Sequence, residues 1–150
     1  AAQPAREGQI RHQAGRTAAR LMLCIDTSSL IAYFGGDAGE DVDLVDQAFA
    51  DRVGVIAPVT LAEVLSDASL SKPAREAMLQ LPLLALTDGY WIRAGLLRAK
   101  ILKSGHKARL ADTLIAQNCL DHQVTLVARD RDFRVFHRLA GLKLLEAAKS

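Results

Sequence analysis

Apolar positions change their period along the chain, and the changes divide it into short alternating elements. Residues 21–25 form a compact apolar run ending at Asp26, the pattern of a strand covered on both faces. Residues 28–34 read as a helix stopped by Gly35-Gly36, and within 41–51 Val42, Val45 and Phe49 recur at helical spacing. Residues 53–57 are a second strand, after which Pro58 opens a helix to about Asp67. Residues 73–81 read as a short helix and 83–86 as a third strand. The stretch 88–104 places Trp91, Ala94, Leu97 and Ile101 on one face, so Trp91, like Phe34, is expected to pack inside. Residues 110–122 are a further amphipathic helix, followed by a strand at 124–128, a short helix at 132–139 and a strand at 142–145. Strands alternating with helices predict a three-layer α/β/α fold around a mostly parallel sheet of about four to five strands.

Composition narrows the class. The 150 residues suit one domain, and half are hydrophobic, which excludes wholesale disorder. No apolar run approaches the roughly 20 residues of a membrane span. The run at 21–25 is too short for a secretory signal, so a cytoplasmic protein is expected. Cys24 and Cys119 form neither a disulfide framework nor a zinc cluster and read as buried free thiols of a reducing compartment. The net charge of +2 is unevenly spread: of 19 Lys and Arg, four (Arg6, Arg11, Arg16, Arg20) lie in residues 1–21, with Glu7 the one acid there among 17. That segment has no apolar stripe and is expected to be a disordered leader or cloning-derived extension ahead of a single domain, 22–150. The domain itself is nearly neutral, so bulk positive charge is not its means of binding anything.

Chemistry enters with the acids. Asp26 ends the first strand, Glu63 lies in the first turns of the helix after the second, Asp112 opens the helix 110–122, and Asp130 follows the fourth strand. Ligands of open α/β sheets bind beyond the carboxyl ends of the strands, where all four acids are candidates to meet. Converging carboxylates repel and shift one another's pKa values, and a hard divalent cation such as Mg²⁺ relieves that repulsion. Each acid also has a structural reading. Asp26 could cap the next helix, Thr60-Leu-Ala-Glu63 is a capping box, Asp112 suits a helix N-terminus, and Asp130 sits in a polar turn.

Four segments together resemble the PIN domain, and within it the VapC-like toxins. They are Leu-Cys-Ile-Asp-Thr-Ser-Ser-Leu-Ile-Ala from Leu23, Ala-Pro-Val-Thr-Leu-Ala-Glu-Val from Ala57, Leu-Ala-Asp-Thr-Leu-Ile-Ala-Gln from Leu110, and Val-Ala-Arg-Asp-Arg-Asp-Phe from Val127. The resemblance implies an endoribonuclease with Asp26, Glu63, Asp112 and Asp130 around one or two Mg²⁺ or Mn²⁺ ions. Asp26 and Asp112 would be the main ligands, with Glu63 on metal or on the attacking water and Asp130 completing a second site. Ser28 would hold a metal-bound water. The reaction is phosphodiester hydrolysis leaving a 5′-phosphate and a 3′-hydroxyl, with no nucleophilic side chain. The implied partners are an RNA substrate, a cognate antitoxin and a second copy, joined through helices near the amino-terminal half. The fourth segment departs from the family where Ala128 replaces a Thr or Ser, and Asp132 competes with Asp130. Asp130 is nearer the strand end, with Asp132 expected to pack over the next turn beside Phe133. Two alternatives remain: a housekeeping PIN nuclease of RNA maturation or decay, and a PIN-fold interaction module without activity.

Charge is blocky inside the domain. Six acids, Asp37 to Asp51, occur without a cation and read as a solvated helix face. Six cations, Arg93 to Arg109, occur without an acid; Lys107 and Arg109 precede Asp112 and, with Arg129 and Arg131, are candidate RNA contacts. His106, His122 and His137 have no ligand spacing and read as surface or helix-end residues.

Overall fold

The computed structural model describes residues 22–146, so the expectations for residues 1–21 and the last four residues lie outside it. Within that span the chain runs β1 (Leu23–Ile25), α1 (Thr27–Phe34), α2 (Glu40–Ala50), β2 (Gly54–Val55), α3 (Pro58–Leu65) and α4 (Lys72–Gln80). It continues with α5 (Tyr90–Lys103), α6 (Leu110–His122), β3 (Thr125–Ala128), a 3-10 turn (Arg131–Phe133), α7 (Arg134–Ala140) and β4 (Leu144–Glu146). The sheet has the order β2-β1-β3-β4, every neighbouring pair parallel, which bears out the expected α/β class.

Cys24 packs into one core cluster with Ile115, Cys119, Leu126 and Phe136, while Ile25 packs into another with Leu30, Val45, Ile56 and Met78. Successive β1 residues therefore enter opposite layers, which is why this strand carries no polar face. Both cysteines are buried and free as expected; a hydrogen bond with Cys24, then burial, pushes the Cys119 thiol well above its usual range. His122 ends α6 with its ring on the Ala85 carbonyl, and His137 contacts the Leu142 carbonyl in the last turn of α7, each at 2.7 Å. No helix among the described residues is long and apolar enough to cross a membrane.

Several expectations need correction. Residues 83–86 form no strand: Leu83 makes one isolated parallel bridge to Ile56, and Leu83 and Leu86 are both exposed. Trp91 is 65% exposed, because Gly89, in the left-handed region at φ 79°, starts α5 at Tyr90 and sets the buried row as Tyr90, Ala94, Leu97 and Ile101. Tyr90 fills the inward place and donates its hydroxyl to the Leu114 carbonyl at 2.7 Å. Phe34 stays half-buried against Tyr33 and Phe49. Helix α6 is not amphipathic, since Thr113, Gln117 and Asn118 are buried along with Ile115 and Ala116.

The last correction concerns the acidic block. Asp41 is 0% exposed rather than solvated, and it binds the Arg129 guanidinium through two contacts of 3.0 Å and the Ser29 hydroxyl at 2.9 Å. Burial raises the Asp41 pKa, but Arg129 and Ser29 outweigh it and hold the carboxyl below its usual value. Arg129 also donates to the Ala38 carbonyl, so the cation expected to meet RNA clamps the loop after β3 onto α2 instead. The pair crosses Gly39, where an added Cβ would lie 2.6 Å from the guanidinium and 2.7 Å from Asp41, at a φ of 153° that side chains rarely adopt. Arg129→Ala, which leaves Asp41 buried and uncompensated, is expected to cost roughly 3 kcal/mol in a urea titration, the low end for such a break because Arg129 is partly exposed. A loss below about 1 kcal/mol would show the pair to be dispensable.

Candidate metal centre

Parallel pairing of β1 with β3 brings Ile25 opposite Val127, so the residues leaving the two strands emerge side by side. The Asp26 amide still donates to the Val127 carbonyl at 2.9 Å. Ser28 then joins the two exits. Its hydroxyl donates to the Asp26 carboxylate and accepts from the amides of Arg129 and Asp130, each at 3.2 Å. Expected to hold a metal-bound water, Ser28 here orients Asp26 and the Asp130 loop together.

Asp26 is 3% exposed and caps α1 through the Ser28 amide at 3.0 Å, so its capping and site readings coexist. Burial pushes its pKa up to about 6, opposed by the Ser28 hydrogen bonds and assisted by the charge of Glu63. Asp112 sits in the first turn of α6 with its Oδ2 buried and without a hydrogen-bond partner. Its pKa is raised to about 7, first by burial and then by the charges of Asp26, Asp130 and Asp132. Single carboxylate oxygens of Asp112, Asp130 and Asp132 lie within 4.8 Å of one another.

The expected acids are thus found in one neighbourhood, with differences. Asp132, expected to pack apart, stands with Asp112 and Asp130, and the Lys107 ammonium lies 3.7 Å from it. Asp130 orders the turn by accepting from the Asp132 amide at 2.9 Å. Glu63 is exposed at the rim, where it accepts the Thr27 hydroxyl at 2.8 Å. The capping-box reading of Glu63 does not hold, because α3 begins after Ala57 and Thr60 lies inside the helix. Thr27 was missed, although its place between Asp26 and Ser28 marks it. The i, i+2 spacing of Asp130 and Asp132 was the available signal for the pair.

A carboxylate with an unpartnered buried oxygen, raised by three like charges, suits a hard divalent cation, for which an all-oxygen donor set is the natural partner. Asp112, Asp130 and Asp132 would hold it, with Asp26 beside them. Arg109, immediately before α6, lowers the Asp112 pKa; it and Arg131 are exposed, as is Lys107. These three cations flank the acids, whereas Arg129 is turned away to Asp41.

The "PIN domain" family model matches residues 23–140. No curated protein matches the chain. Among solved structures, the chain is similar to DNA-bound VapBC from Salmonella typhimurium at 21% identity and TM-score 0.63, covering 84% of this chain and 98% of that one. It is similar to VapBC-5 from Mycobacterium tuberculosis, of the VapBC family of toxin–antitoxin systems, at 21% identity and TM-score 0.60, with 84% and 98% covered. FitAcB from Neisseria gonorrhoeae matches at 18% identity and TM-score 0.63, with 83% and 96% covered. Identities this low establish the shared fold.

The raised carboxyls make a signed prediction for the metal-free protein. A folded pKa above the unfolded value means the native state binds more protons, so stability falls as pH rises from about 4 through about 7. Between pH 5 and pH 8 in chelator, the native chain should lose on the order of 2 kcal/mol that Asp112→Asn retains, after discounting for partial exposure. Thermal melts of both proteins measure it; parallel pH profiles would remove the repulsion from the account.

Proposed function

The chain belongs to the PIN domain family, and from that premise we propose that it is a divalent-metal-dependent endoribonuclease acting as a VapC-type toxin. The observation that carries this reading is the grouping of Asp130 and Asp132 with Asp112, which has a buried oxygen without a partner and also feels the charge of Asp26. Bound Mg²⁺ or Mn²⁺ would supply a Lewis acid for the charge that builds on a phosphodiester and would acidify nearby water. The chain's own residues do the rest. Asp112, Asp130 and Asp132 would hold the ion, with Asp26, fixed by Ser28, as the neighbouring carboxylate. Glu63, steadied by Thr27, would accept a proton from an attacking water. Lys107, Arg109 and Arg131 meet the phosphates that flank the cleaved bond.

The likeness to VapBC complexes supports a cognate antitoxin as the partner that silences the site. The active unit is proposed to be a homodimer in the cytoplasm. The interaction-module reading has little to recommend it while every acid is in place. A housekeeping nuclease would share the chemistry and differ in lacking an antitoxin.

The test is cleavage of total cellular RNA by the purified chain, with cut sites mapped by sequencing. Cleavage should require Mg²⁺ or Mn²⁺ and fall by at least about 100-fold in Asp26→Asn and Asp112→Asn, each still folded by circular dichroism. Expression should arrest growth in the native form and not in either variant. Metal should raise the melting temperature of the native protein and not that of Asp112→Asn. RNA left intact by a folded, metal-bound native protein would end the nuclease reading.

A further inference from the structure

Strand β4 runs parallel to β3 and ends at the same edge of the sheet, with Glu146 opposite Ala128, two residues before Asp130. Among the described residues no strand pairs with the outer side of β4. Between β4 and α7 lies an open groove of about 670 Å³, lined by Arg134, His137, Arg138, Leu144 and Glu146. One end of the groove, at Arg134 and Glu146, therefore stands beside the turn that carries Asp130 and Asp132. Its volume suits a ligand of nucleotide size.

The α7 wall of the groove is cationic. Arg131 and Arg134 are three apart across a 3-10 turn, where such residues eclipse, and Arg134 and Arg138 are four apart on the helix, where they are neighbours. The row begins next to Asp132 and extends roughly 12 Å, the rise of about three stacked nucleotides. Glu146 engages Arg134 at Nε, at 2.8 and 2.9 Å, which fixes the guanidinium and leaves the amino groups of its fork out of that pair. Arg138 is exposed and makes no ion pair among the described residues. Like charges at this spacing repel along a helix, and a phosphate between them turns the repulsion into attraction. His137 donates from Nδ1 to the Leu142 carbonyl at 2.7 Å, since a carbonyl only accepts, and this bond holds the ring at the groove. A fixed imidazole is a platform on which an unpaired base can stack.

We propose that this groove takes the RNA strand beyond the bond that is cut, with phosphates on Arg134 and Arg138 and a base against His137 and Leu144. The inference rests on the nuclease reading and names the form of its substrate: a single strand that continues past the acidic cluster. Bases of a duplex are stacked and paired with one another and are not free to meet His137. Continuity chooses RNA over an acidic peptide. The arginine row starts at the cluster with Arg131, where the phosphates of a strand being cut already have to lie, whereas a peptide has no need of that connection.

Fluorescence anisotropy with labelled oligouridylates of about four and about ten nucleotides tests the groove, in Mg²⁺ and on an Asp26→Asn background that the nuclease reading makes inactive. The longer strand should bind more tightly than the shorter. Arg138→Ala should remove about 5-fold or more of that gain, lower the salt dependence of binding by about 0.7, and leave the melting temperature unchanged. Arg138→Lys should recover most of the loss, and Arg138→Glu should deepen it. His137→Gln, which removes the ring, should weaken the longer strand about 5-fold. Equal affinity for the two lengths, or native-like binding by Arg138→Glu, would take the groove out of the RNA path. Cleavage of total RNA by the native chain would then leave the nuclease reading standing. Neither binding nor cleavage would overturn both. Poly-glutamate bound by the native chain and not by Arg138→Glu, with RNA affinity unmoved, would assign the groove to an acidic peptide instead.

Discussion

Buried negative charge is the constraint around which this fold is arranged, because a carboxylate taken out of water must be compensated or protonated. The chain meets it in three ways. Asp41 receives a full guanidinium and a hydroxyl, and its pKa falls. Asp26 receives only hydrogen bonds, from Ser28 and the Thr27 amide, and is left near 6. Asp112 receives no bond on its buried oxygen and three like charges, and is left near 7. The graded series runs from a settled ion pair to an unsettled one, and the unsettled end lies at the carboxyl edge of the sheet.

The settled pair is what makes the unsettled one possible. Arg129 ties the segment after β3 to α2 across 88 positions, and Ser28 ties the same segment to the end of β1 across 101 and 102. Those two ties add to the β1–β3 pairing and to buried Phe133 in setting the positions of Asp130 and Asp132 relative to Asp26 and Asp112. Gly39 belongs to this device, since the Arg129–Asp41 contact occupies the space a side chain would need.

Local signals carried the sequence reading far, and it faltered where long-range partners decide. Helix α6 has the expected bounds although not the expected amphipathic face, and it lies between an extended Arg109 and a left-handed Gln123. Four acids at strand exits and helix starts were visible because parallel topology maps those positions onto one edge. Residues 83–86 looked like a strand by composition, yet a strand needs a ladder, and only Ile56 offers a bridge. Asp41 was hidden inside an acidic run, although it shares a helix face with buried Val45 and Ala48, a spacing that foretells burial. Its partner, 88 positions away, had no local signature at all. Trp91 was misplaced by one residue of helical phase, and one residue is 100° of helix.

That single step of phase joins the site to the surface. Of the six cations from Arg93 to Arg109, the three nearest the middle of α5 are spent on Asp121 and on backbone carbonyls. Such bonds remove charge from the outer face and leave it apolar, so a run that reads as basic in sequence presents tryptophan, isoleucine and leucine to solvent. Lys107 and Arg109, beyond the helix, escape this and stay exposed beside Asp112. Net charge therefore describes neither surface: inward bonding leaves the outer face of α5 apolar, while Lys107 and Arg109 keep positive charge at the mouth of the acidic cluster, where a polyanion and its counter-ion would have to meet.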